Sequence, residues 1–518
     1  MNHTFIVQSL PKINQRRAFV RLYAKLIRYK RHFISLLAVT TLLKLWLAAA
    51  FPMTGDEAYF YQWGAHPDWG GFYDHPPMVG WWLWALQQIS SHPLALRLPA
   101  VLLWIAICFG LIDLIKRIRT DDNGRRWVFG SLFLAVPFTW SLNFITTDTP
   151  LIFFVFFSGY AFVRAEISGK LAWDAACGVL LGLALLSKYF AGLLALTFAA
   201  CLLLSHRGII RIALIAGCAL PFMALNFAWN STHCWNNLLF NLINRHQGTH
   251  FSAAGAGIYL AMLILLVTPW TLFRLMRHKE WRGQWYVHLL YLLPLGFFLI
   301  LSLWKPIGLH WILGFLPFVL LQIGLITDID TLRRHKNLNL LLGVPVLSLL
   351  LGLIYLPTTS FASSSYYSGI VVHRYGQSLA KRLVEDLPPN TVLMTRSYSQ
   401  SSLLAYHSGS YLPVFGLGSF HARLDDDITD FSLLDGKNIR IFTNKQPNLA
   451  DYQDFFKAIE IREQSFQGAQ FWIIDGVDFR FESYRKNILG EIAKQYYAIP
   501  KWLPLQDCRF LRIYGLSK

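Results

Sequence analysis

The sequence predicts a polytopic α-helical membrane protein that continues into a C-terminal soluble α/β domain. Of the 518 residues, 54% are hydrophobic and only 15% are charged, whereas soluble globular proteins carry roughly 25% charged residues. Apolar runs of about 20 residues, the length that crosses a bilayer, recur through 1–357. The net charge of +18 divides into +16 over 1–357 and +2 over 358–518. Because the basic residues accompany the apolar runs, they favour a membrane protein over a nucleic-acid-binding one.

About eleven apolar runs are expected to span the membrane. The basic N-terminal stretch is long and no small-residue cleavage site follows the first run, so we expect that run to remain as an anchor rather than to be removed as a signal peptide. The runs lie at 33–51, 95–115, 127–143, 148–163, 171–187, 189–204, 210–229, 254–275, 285–303, 310–327 and 338–357.

Basic residues are distributed unevenly between the two sets of connecting segments. With the N-terminus in the cytoplasm, the inner segments hold 24 Lys and Arg, while the outer loops hold three, namely Lys188, Arg245 and Lys305. Positively charged residues are retained on the cytoplasmic side. An odd number of spans then places the C-terminal portion outside, so the sequence predicts a cytoplasmic N-terminus and an extracytoplasmic C-terminal domain.

The composition changes sharply after 357, and the segment 358–518 is typical of a small α/β domain. No catalytic motif is evident there, and Asp425, Asp426 and Asp427 are expected in a solvated loop rather than in a metal site. Helical patterns cover 371–387 and 481–497, and strand-like runs lie at 391–395, 439–443 and 471–474.

Two cysteines, Cys234 and Cys508, lie outside the apolar runs. They can pair in an oxidising compartment, although two cysteines far apart in sequence are more often unpaired. Whether they form a disulfide is left open at this point.

The first outer loop, 52–94, is the most informative segment. Its density of Trp and Tyr favours short helices lying in the membrane interface, where a ring buries its body and keeps its polar tip in water. Asp56-Glu57 follows the end of an apolar span directly, at the depth where a lipid head group meets a protein cavity. Asp74-His75 precedes two prolines, and this stiff turn holds a carboxylate and an imidazole as neighbours.

The other outer loops add one acid and several bases. Asp148 stands at the junction of two spans, where it caps a helix with Pro150 in the first turn, points into the same cavity as Asp56, or does both. The remaining candidates share a position at the outer end of a span, and they are Lys188, Tyr189, Arg245, His246, Lys305 and His310.

Together these motifs resemble the GT-C superfamily of polyprenyl-phosphate-sugar glycosyltransferases, in particular bacterial relatives of the protein O-mannosyltransferases and of the aminoarabinose lipid A transferase. The resemblance follows the order of the membrane part and is strongest over 50–190. The motifs that carry it are Asp56-Glu57-Ala58-Tyr59, Trp69-Gly70, Tyr73-Asp74-His75-Pro76-Pro77-Met78, Thr147-Asp148-Thr149-Pro150, Lys305 and His310-Trp311.

The resemblance implies an inverting transfer of a sugar from a polyprenyl phosphate to an acceptor hydroxyl or phosphate, at the outer face of the bacterial inner membrane. Asp56 holds the position of the family's central catalytic acid, and Asp148 matches the acid of the second loop. Where the lipid A branch has a Glu-Lys-Pro element whose Glu is linked to a divalent metal, this chain has Asp74-His75-Pro76. One divalent metal ion, held by Asp74 with His246, or no cofactor at all, is therefore the expectation.

The chemistry assigns further roles to the candidates. A hydroxyl that attacks a sugar carbon must lose a proton, so Asp56 is expected to act as general base, with Glu57 and Asp148 also in the catalytic group. The departing lipid phosphate gains charge, which Lys305, Arg245 and His310 would stabilise. The expected donor-binding set is completed by Tyr59, His75, Lys188 and Tyr189. The two tyrosines either pack against the sugar or belong to the aromatic belt at the membrane interface.

Two other classes of function fit part of the sequence. A transporter or flippase of lipid-linked sugars also needs many spans and outer charges, but it usually places coupling residues at the bilayer midplane and often shows repeated halves. A noncatalytic assembly protein would not depend on Asp56. The expected partners are a lipid-linked sugar donor, membrane lipid and a lipopolysaccharide, glycan or protein acceptor, without nucleic acid, and the sequence leaves the sugar and the acceptor open.

Overall fold

The computed structural model describes residues 12–119, 124–205, 208–246, 250–277, 284–504 and 506–516. It has the predicted order, an all-helical part followed by a domain that contains a β-sheet. In the all-helical part the α-helices are α1 Lys12–Ala50, α2 Gly55–Ala65, α3 Met78–Gln87, α4 Pro93–Ile118, α5 Arg125–Ala135, α6 Pro137–Ser141, α7 Asp148–Ser168, α8 Leu171–Leu185, α9 Gly192–Leu204, α10 Ile209–Thr232, α11 Asn236–Leu242, α12 Ala253–Val267, α13 Pro269–Arg277, α14 Trp285–Leu301, α15 Leu316–Ile326 and α16 Ile329–Tyr355. Short 3-10 turns occur at Tyr189–Ala191, Asn244–His246 and Leu309–Ile312.

Within the described ranges, five helices are long and apolar enough to cross a membrane, and α12 with α13 makes a sixth if the bent pair forms one span. The five are Tyr23–Ala50, Pro93–Ile118, Asp148–Ser168, Ile209–Thr232 and Ile329–Tyr355. Shorter apolar helices occur at Leu171–Leu185, Tyr189–Leu204, Trp285–Leu301 and Leu316–Ile326. Each predicted apolar run contains helix, and the number of eleven spans stays a prediction.

Prolines break two of the predicted runs. The run at 127–143 is divided between α5 and α6, because Pro137 lacks an N–H and forces Val136 into an extended conformation. The run at 254–275 is bent by 97° between α12 and α13, at Thr268 before Pro269. Both breaks lie inside apolar sequence, where hydropathy alone shows one continuous run.

The C-terminal domain is built on a four-stranded sheet with the order β1-β2-β4-β3. Its strands are β1 Thr391–Thr395, β2 Asn438–Thr443, β3 Phe456–Phe466 and β4 Ala469–Phe479, and its α-helices are α17 Tyr367–Glu385, α18 Tyr398–Ser408, α19 Leu424–Ile428, α20 Phe481–Tyr484, α21 Gly490–Tyr496 and α22 Arg509–Ile513. β1 and β2 are parallel, while β4 is antiparallel to β2 and β3. Gln467 and Gly468 both have positive φ, as a two-residue hairpin turn between β3 and β4 requires.

Shorter turns complete this domain, and the sequence prediction of its main elements is confirmed. The three predicted strands correspond to β1, β2 and β4, and the helical patterns correspond to α17 and to the continuous segment from α20 to α21. The 3-10 turns are Thr358–Phe361, Phe420–Arg423, Phe431–Leu434, Leu449–Asp451 and Gln453–Phe455, and a π-helical turn covers Arg485–Leu489.

The first outer loop and the C-terminal domain share one hydrophobic core. Tyr59 and Trp63 of α2 belong to the same buried cluster as Val371 of α17 and Leu403 of α18. Gly55 allows this approach, because a Cβ at that position would stand 2.7 Å from the Cβ of Ser399. The short helices predicted for the outer loop are therefore present, and they are covered by protein on the side of the C-terminal domain.

A buried ion pair holds the same loop on the helical part. The guanidinium of Arg97 in α4 donates to both carboxylate oxygens of Glu57, at 2.8 Å from Nε and 2.7 Å from Nη2. Arg97 also donates to the backbone oxygens of Ala48, Phe51 and Pro52. Both side chains are at most 1% exposed, so the pair ties α2 and α4 to the end of α1.

In the structure Glu57 has a structural role, and its assignment to the catalytic group stays a prediction that this bonding does not favour. Besides Arg97, its carboxylate accepts hydrogen bonds from the backbone N–H of Ile145 at 3.1 Å and from the backbone N–H and hydroxyl of Thr54. Thr54 and Glu57 together form a capping box at the start of α2. A carboxylate so fully bonded has no oxygen left to receive a substrate proton.

In the acidic run of the C-terminal domain Asp425 and Asp426 are buried and Asp427 is half-buried, and all three lie in α19, so the prediction of a solvated loop was wrong. Asp425 accepts hydrogen bonds from the hydroxyl of Tyr411 and from the N–H of Val414. Asp426 is bonded by Arg423 and Tyr497. Burial raises the pKa of Asp425 to about 7 and that of Asp426 to about 6. Arg423 is three residues from Asp426, whereas Tyr497 is 71 residues away, and no local pattern shows that these side chains are buried together.

Cys234 and Cys508 form a disulfide that joins the outer loop after α10 to the segment before α22. The two cysteines are 274 residues apart in sequence, and the bond closes that whole stretch into a loop. The disulfide therefore resolves the question that the sequence left open, and it links the helical part covalently to the C-terminal domain.

We predict that removing this disulfide destabilises the protein by about 2–4 kcal/mol, the usual contribution of a native disulfide. The measurement is thermal unfolding of the detergent-solubilised chain, with and without reductant. Wild type should lose stability when reduced, and the double variant Cys234→Ser/Cys508→Ser should be insensitive to reductant. Cys218→Ser, which removes a free cysteine, serves as control. A wild type that unfolds at the same temperature in reductant would contradict the prediction.

We also predict that Arg97→Met lowers the free energy of unfolding by about 3–5 kcal/mol, because it leaves the charge of Glu57 buried without a partner. Adding Glu57→Gln to that variant removes the charge and should restore part of the loss. Arg333→Met, which changes an exposed arginine, should have little effect. Equal stability of Arg97→Met and Arg333→Met would show that the buried pair does not hold the loop.

Candidate functional site

A cavity of about 720 Å³ lies between the outer loops and the C-terminal domain. It contains most of the charged candidates that the sequence singled out, although they come from five separate segments. The predicted residues that line it are Asp56, Tyr59, Asp74, His75, Asp148, Lys188, Arg245, Lys305 and His310. The cavity therefore brings three acids and several bases to one place.

Asp56 is positioned by the first turn of α2. Because Glu57 turns inward to Arg97, its neighbour in the helix is directed elsewhere, and Asp56 is exposed and lines the cavity. One carboxylate oxygen accepts a hydrogen bond of 3.1 Å from the hydroxyl of Tyr398. The other oxygen has no hydrogen-bond partner among the described residues, so it is free to accept a proton from a bound group.

Asp148 lies at the start of α7, and the two alternatives for its side chain are now distinguished. Its carboxylate caps no backbone N–H of the helix. Instead it receives the ammonium of Lys188 at 3.0 and 3.1 Å, and Nε2 of His310 lies 3.8 Å away. Asp148 thus points into the cavity, where Lys188 largely neutralises its charge.

Two further cations face the cavity without a carboxylate partner among the described residues. The guanidinium of Arg245 stacks over the rings of Trp311 and Phe240, at 4.8 and 5.4 Å from their centres. The ammonium of Lys305 donates to the backbone oxygen of Arg245 at 2.7 Å. Burial, and then the charge of Arg245, lower the pKa of Lys305 to about 8. This pair is able to bind an anion that enters the cavity.

Asp74 is buried and already bonded. Nδ1 of His421 lies 2.8 Å from one carboxylate oxygen, and the hydroxyl of Tyr59 donates to the other at 3.4 Å. Burial opposes ionisation of Asp74, but the hydrogen bond from His421 and the nearby imidazoles outweigh it and lower its pKa.

The expected metal site stays a prediction, because only one of its two proposed ligands, Asp74, has a described side chain. Within the described ranges, no three His, Cys, Asp or Glu residues gather as ligands would. The carboxylate of Asp74 is occupied by His421 and Tyr59, and the side chain of its proposed partner, His246, lies outside the described residues. We therefore assign no step of the chemistry to a metal ion.

The last two donor-binding candidates differ in their positions. His75 lines the cavity, and burial lowers its pKa to about 4, so it is neutral near pH 7. Its Nδ1 contacts the carbonyl oxygen of Asp74. Tyr189 lies outside the cavity, and its hydroxyl donates to Asn226 at 2.6 Å. The structure does not bring Tyr189 to the cavity, so its assignment to the sugar stays a prediction.

Among the lining residues that sequence reasoning missed, Tyr398 and His421 contribute polar side chains from the C-terminal domain. One signal could have found Tyr398. It follows β1, and ligands of α/β sheets gather beyond the carboxyl ends of parallel strands. His421 lies in a 3-10 turn with no motif around it, and only the folded chain brings it to Asp74.

Comparison with known proteins found similarity in sequence over part of the chain and similarity in fold over most of it. A family model described as dolichyl-phosphate-mannose-protein mannosyltransferase matches residues 74–229. Over 248 residues the chain is 27% identical to the lipid A galacturonosyltransferase RgtD of Rhizobium johnstonii, which covers 43% of this chain and 50% of the relative. The matched stretch thus spans about half the length of that relative.

The fold is shared with ArnT from Cupriavidus metallidurans. The apo structure of that protein matches with a TM-score of 0.61 at 14% identity. The structure bound to undecaprenyl phosphate matches with a TM-score of 0.59 at 15% identity. Each comparison covers 85% of this chain and 97% of the other, so the similarity includes the helical part and the C-terminal domain. The chain is thus similar in sequence to a family model and a curated relative over part of its length, and similar in fold to ArnT over most of it.

Proposed function

We propose that the protein is an inverting glycosyltransferase that moves a sugar from a polyprenyl phosphate to an acceptor in lipid A, another glycan or a protein. The observation that carries the proposal is one cavity in which Asp56, with a free carboxylate oxygen, faces the same space as the unpaired cations Arg245 and Lys305. This arrangement suits a reaction that removes a proton at one end and releases a phosphate at the other.

Asp56 acts as the general base. The acceptor oxygen forms a bond to the anomeric carbon, and its proton passes to the free carboxylate oxygen of Asp56. The bond from the anomeric carbon to the phosphate oxygen breaks, and the polyprenyl phosphate leaves with the electron pair. Because the acceptor attacks from the side opposite the phosphate, the configuration at the anomeric carbon is inverted.

Arg245 and Lys305 bind the phosphate of the donor, with His310 beside them. The donor is a singly charged phosphodiester, and its phosphate gains further negative charge as the bond to the sugar breaks. Cations already in position therefore stabilise the transition state more than they stabilise the bound donor. The aromatic rings beneath Arg245 hold its guanidinium in place. The wall of the cavity also limits access of bulk water, which strengthens these charge interactions.

Asp148 positions the basic side of the cavity. Its carboxylate binds Lys188 and lies 3.8 Å from His310, so it holds both bases at the edge of the phosphate position. In this proposal the main role of Lys188 is to balance the charge of Asp148. Tyr59 donates a hydrogen bond to Asp74 and also presents its ring to the donor. A direct role of Asp148 in proton transfer is less well supported, because Lys188 bonds both of its oxygens.

The relatives support the donor and the acceptor class. The curated relative is named as a lipid A galacturonosyltransferase, and one structure of similar fold contains undecaprenyl phosphate. We accordingly propose an undecaprenyl-type carrier. The acceptor is a glycan such as lipid A in the first instance, with protein as the alternative, and the transferred sugar is a hexose or pentose derivative.

The location follows from the same features. The helices of spanning length and the excess of basic residues in the inner segments support a multi-pass protein of the bacterial inner membrane with a cytoplasmic N-terminus. The disulfide supports an oxidising compartment for the C-terminal domain, as the periplasm provides. The cavity then opens at the outer face, where lipid-linked sugars are consumed.

We predict that Asp56→Asn lowers the turnover number at least about 100-fold, because a general base contributes roughly that much. The assay follows label from a panel of undecaprenyl-phosphate sugars into lipid A and membrane protein, with purified chain and with or without a chelator. Asp330→Asn, which changes an exposed acid, should behave as wild type. Equal transfer by Asp56→Asn would contradict the base assignment, and binding of every donor without transfer would favour a transporter of lipid-linked sugars.

We predict that kcat/KM for the donor falls as the pH rises through about 8. The pKa of Lys305 is lowered to about 8, so above that pH its ammonium loses the proton and the cavity loses a positive charge at the phosphate. Lys305→Arg keeps its charge over this range, and its profile should lack that fall. Superimposable pH profiles of the two proteins would refute the role of Lys305.

A further inference from the structure

His421 belongs to the C-terminal domain and lines the cavity, and the proposed function gives it no role. Nδ1 of its imidazole lies 2.8 Å from a carboxylate oxygen of Asp74. The side chain of Asp74 is 1% exposed, whereas that of His421 is 32% exposed. A buried carboxylate that holds one nitrogen of an imidazole at the surface of a cavity orients the other nitrogen for a ligand.

The backbone of His421 is fixed by the turn in which it lies. The hydroxyl of Ser419 accepts a hydrogen bond from the N–H of His421, at 3.3 Å, where the 3-10 turn Phe420–Arg423 begins. Arg423, at the end of that turn, donates to the backbone oxygen of Leu417 at 2.7 Å. Contacts on both sides of the turn therefore hold the imidazole in place.

The contacts of Asp74 leave one nitrogen of His421 available. Both carboxylate oxygens of Asp74 receive a hydrogen bond, one from the hydroxyl of Tyr59 and one from His421, as an ionised carboxylate does. Nδ1 of His421 therefore carries a proton and donates it to Asp74. The other ring nitrogen, Nε2, makes no hydrogen bond with any described residue, so it is free to bind a ligand in the cavity.

The ring of His421 contacts two other rings, one at each of the positions that the proposed reaction uses. The first is the ring of Tyr398, 5.2 Å away between centres, whose hydroxyl donates to Asp56. The second is the ring of Phe240, 5.9 Å away between centres, which also lies under the guanidinium of Arg245. The imidazole therefore adjoins the space between the proposed base and the proposed phosphate site.

The transferred sugar occupies this space in the proposed reaction, because it is attacked beside Asp56 and its phosphate leaves toward Arg245. A sugar hydroxyl can both donate and accept a hydrogen bond. It can therefore donate to Nε2 of a neutral imidazole and accept from Nε2 of a charged one. A carboxylate would suit only the charged form of His421, and an ammonium group only the neutral form, so a hydroxyl is the group that suits both.

We propose that His421, oriented by Asp74, binds the transferred sugar of the donor through a hydrogen bond between Nε2 and one of the sugar's hydroxyl groups. The inference rests on the proposed function, from which it takes the position of the sugar, and extends it to recognition of the donor. In glycoside hydrolysis, hydrogen bonds to a sugar hydroxyl strengthen in the transition state. The same effect here makes His421 contribute to the rate as well as to binding.

The test compares the binding of lipids with and without a sugar. The full-length chain in detergent is titrated with undecaprenyl phosphate and with undecaprenyl phosphate that carries glucose, galactose, mannose or galacturonic acid. At least one sugar-bearing lipid should bind His421→Asn about tenfold more weakly than wild type, the effect of one hydrogen bond. Undecaprenyl phosphate should bind both proteins equally, because its phosphate and lipid lie elsewhere in the cavity.

Two amides distinguish the two nitrogens of His421. Asn can donate to Asp74 in place of Nδ1 but has no atom at the position of Nε2, whereas the longer Gln reaches that position. His421→Gln should therefore keep part of the affinity that His421→Asn loses. His407→Asn, which changes a half-buried histidine of α18 outside the cavity lining, is the matched control and should bind every lipid as wild type does.

Two binding results would overturn the proposal. One is equal binding of every sugar-bearing lipid by wild type and His421→Asn, and the other is a loss for undecaprenyl phosphate as large as the loss for the sugar-bearing lipids. Thermal unfolding shows whether each variant is folded.

Deoxy sugars test the same bond from the side of the ligand. The tightest-binding sugar-bearing lipid is titrated again in forms that each lack one hydroxyl. One form should lose about tenfold in affinity for wild type and lose nothing further for His421→Asn, because the bond is already absent there. If His421→Asn is not folded, the cycle is measured with His421→Gln, which should show a smaller loss than wild type. The same loss in wild type and variant for every deoxy form would contradict the bond to a hydroxyl.

A turnover experiment separates this inference from the proposed function. His421→Asn should lower kcat/KM for the donor about tenfold or more and leave KM for the acceptor unchanged. Sugar binding that depends on His421 without any sugar transfer by wild type would refute the proposed function and leave the sugar contact assigned. Transfer by wild type and His421→Asn with the same kcat/KM for the donor would refute the sugar contact and leave the proposed function standing.

Discussion

The buried ion pair between Glu57 and Arg97 is the constraint on which the site depends. An unpaired charge in such a place would cost several kcal/mol, so each partner is held by the other and by backbone groups around it. Through Arg97 the pair joins the end of α1 to α4, and through Glu57 it fixes the first turn of α2 and the backbone at Ile145. Asp56, which precedes Glu57 in that turn, is consequently held at the cavity. The acid with a structural role thus positions the acid with the proposed chemical one.

Ion pairs and hydrogen bonds satisfy some of the charged groups in the cavity and leave others free. Asp148 is balanced by Lys188, and Asp74 is held by His421 and Tyr59. What remains unpaired among the described lining residues is an acid at one position and the cations Arg245 and Lys305 at another. A single large cavity can therefore offer a proton acceptor and an anion site at once, because neighbouring groups satisfy the charges that would otherwise neutralise them.

The reaction site lies between the two parts of the chain rather than within one of them. The outer loop packs into a common core with α17 and α18, a disulfide joins the loop after α10 to the end of the chain, and Tyr398 and His421 contact acids of the helical part. The C-terminal domain is thus in a position to control what reaches Asp56. This arrangement also gives a physical meaning to the resemblance in fold to ArnT, which includes both parts.

The sequence by itself determined the features that local composition encodes: the apolar helices, the change to an α/β domain, the three strands β1, β2 and β4, and the charged residues at the ends of spans. Nine of its twelve candidate site residues line one cavity, because a span end places its polar residues at the membrane surface whatever their partners.

Only the tertiary structure decided which acid is free. Glu57 and Asp56 are neighbours in sequence with the same chemistry, and Arg97, 40 positions away, separates them. The tertiary structure also decided the position of Tyr189, the pairing of Cys234 with Cys508, and the contacts of Tyr398 and His421. A contact between distant residues depends on packing, which no local sequence pattern records.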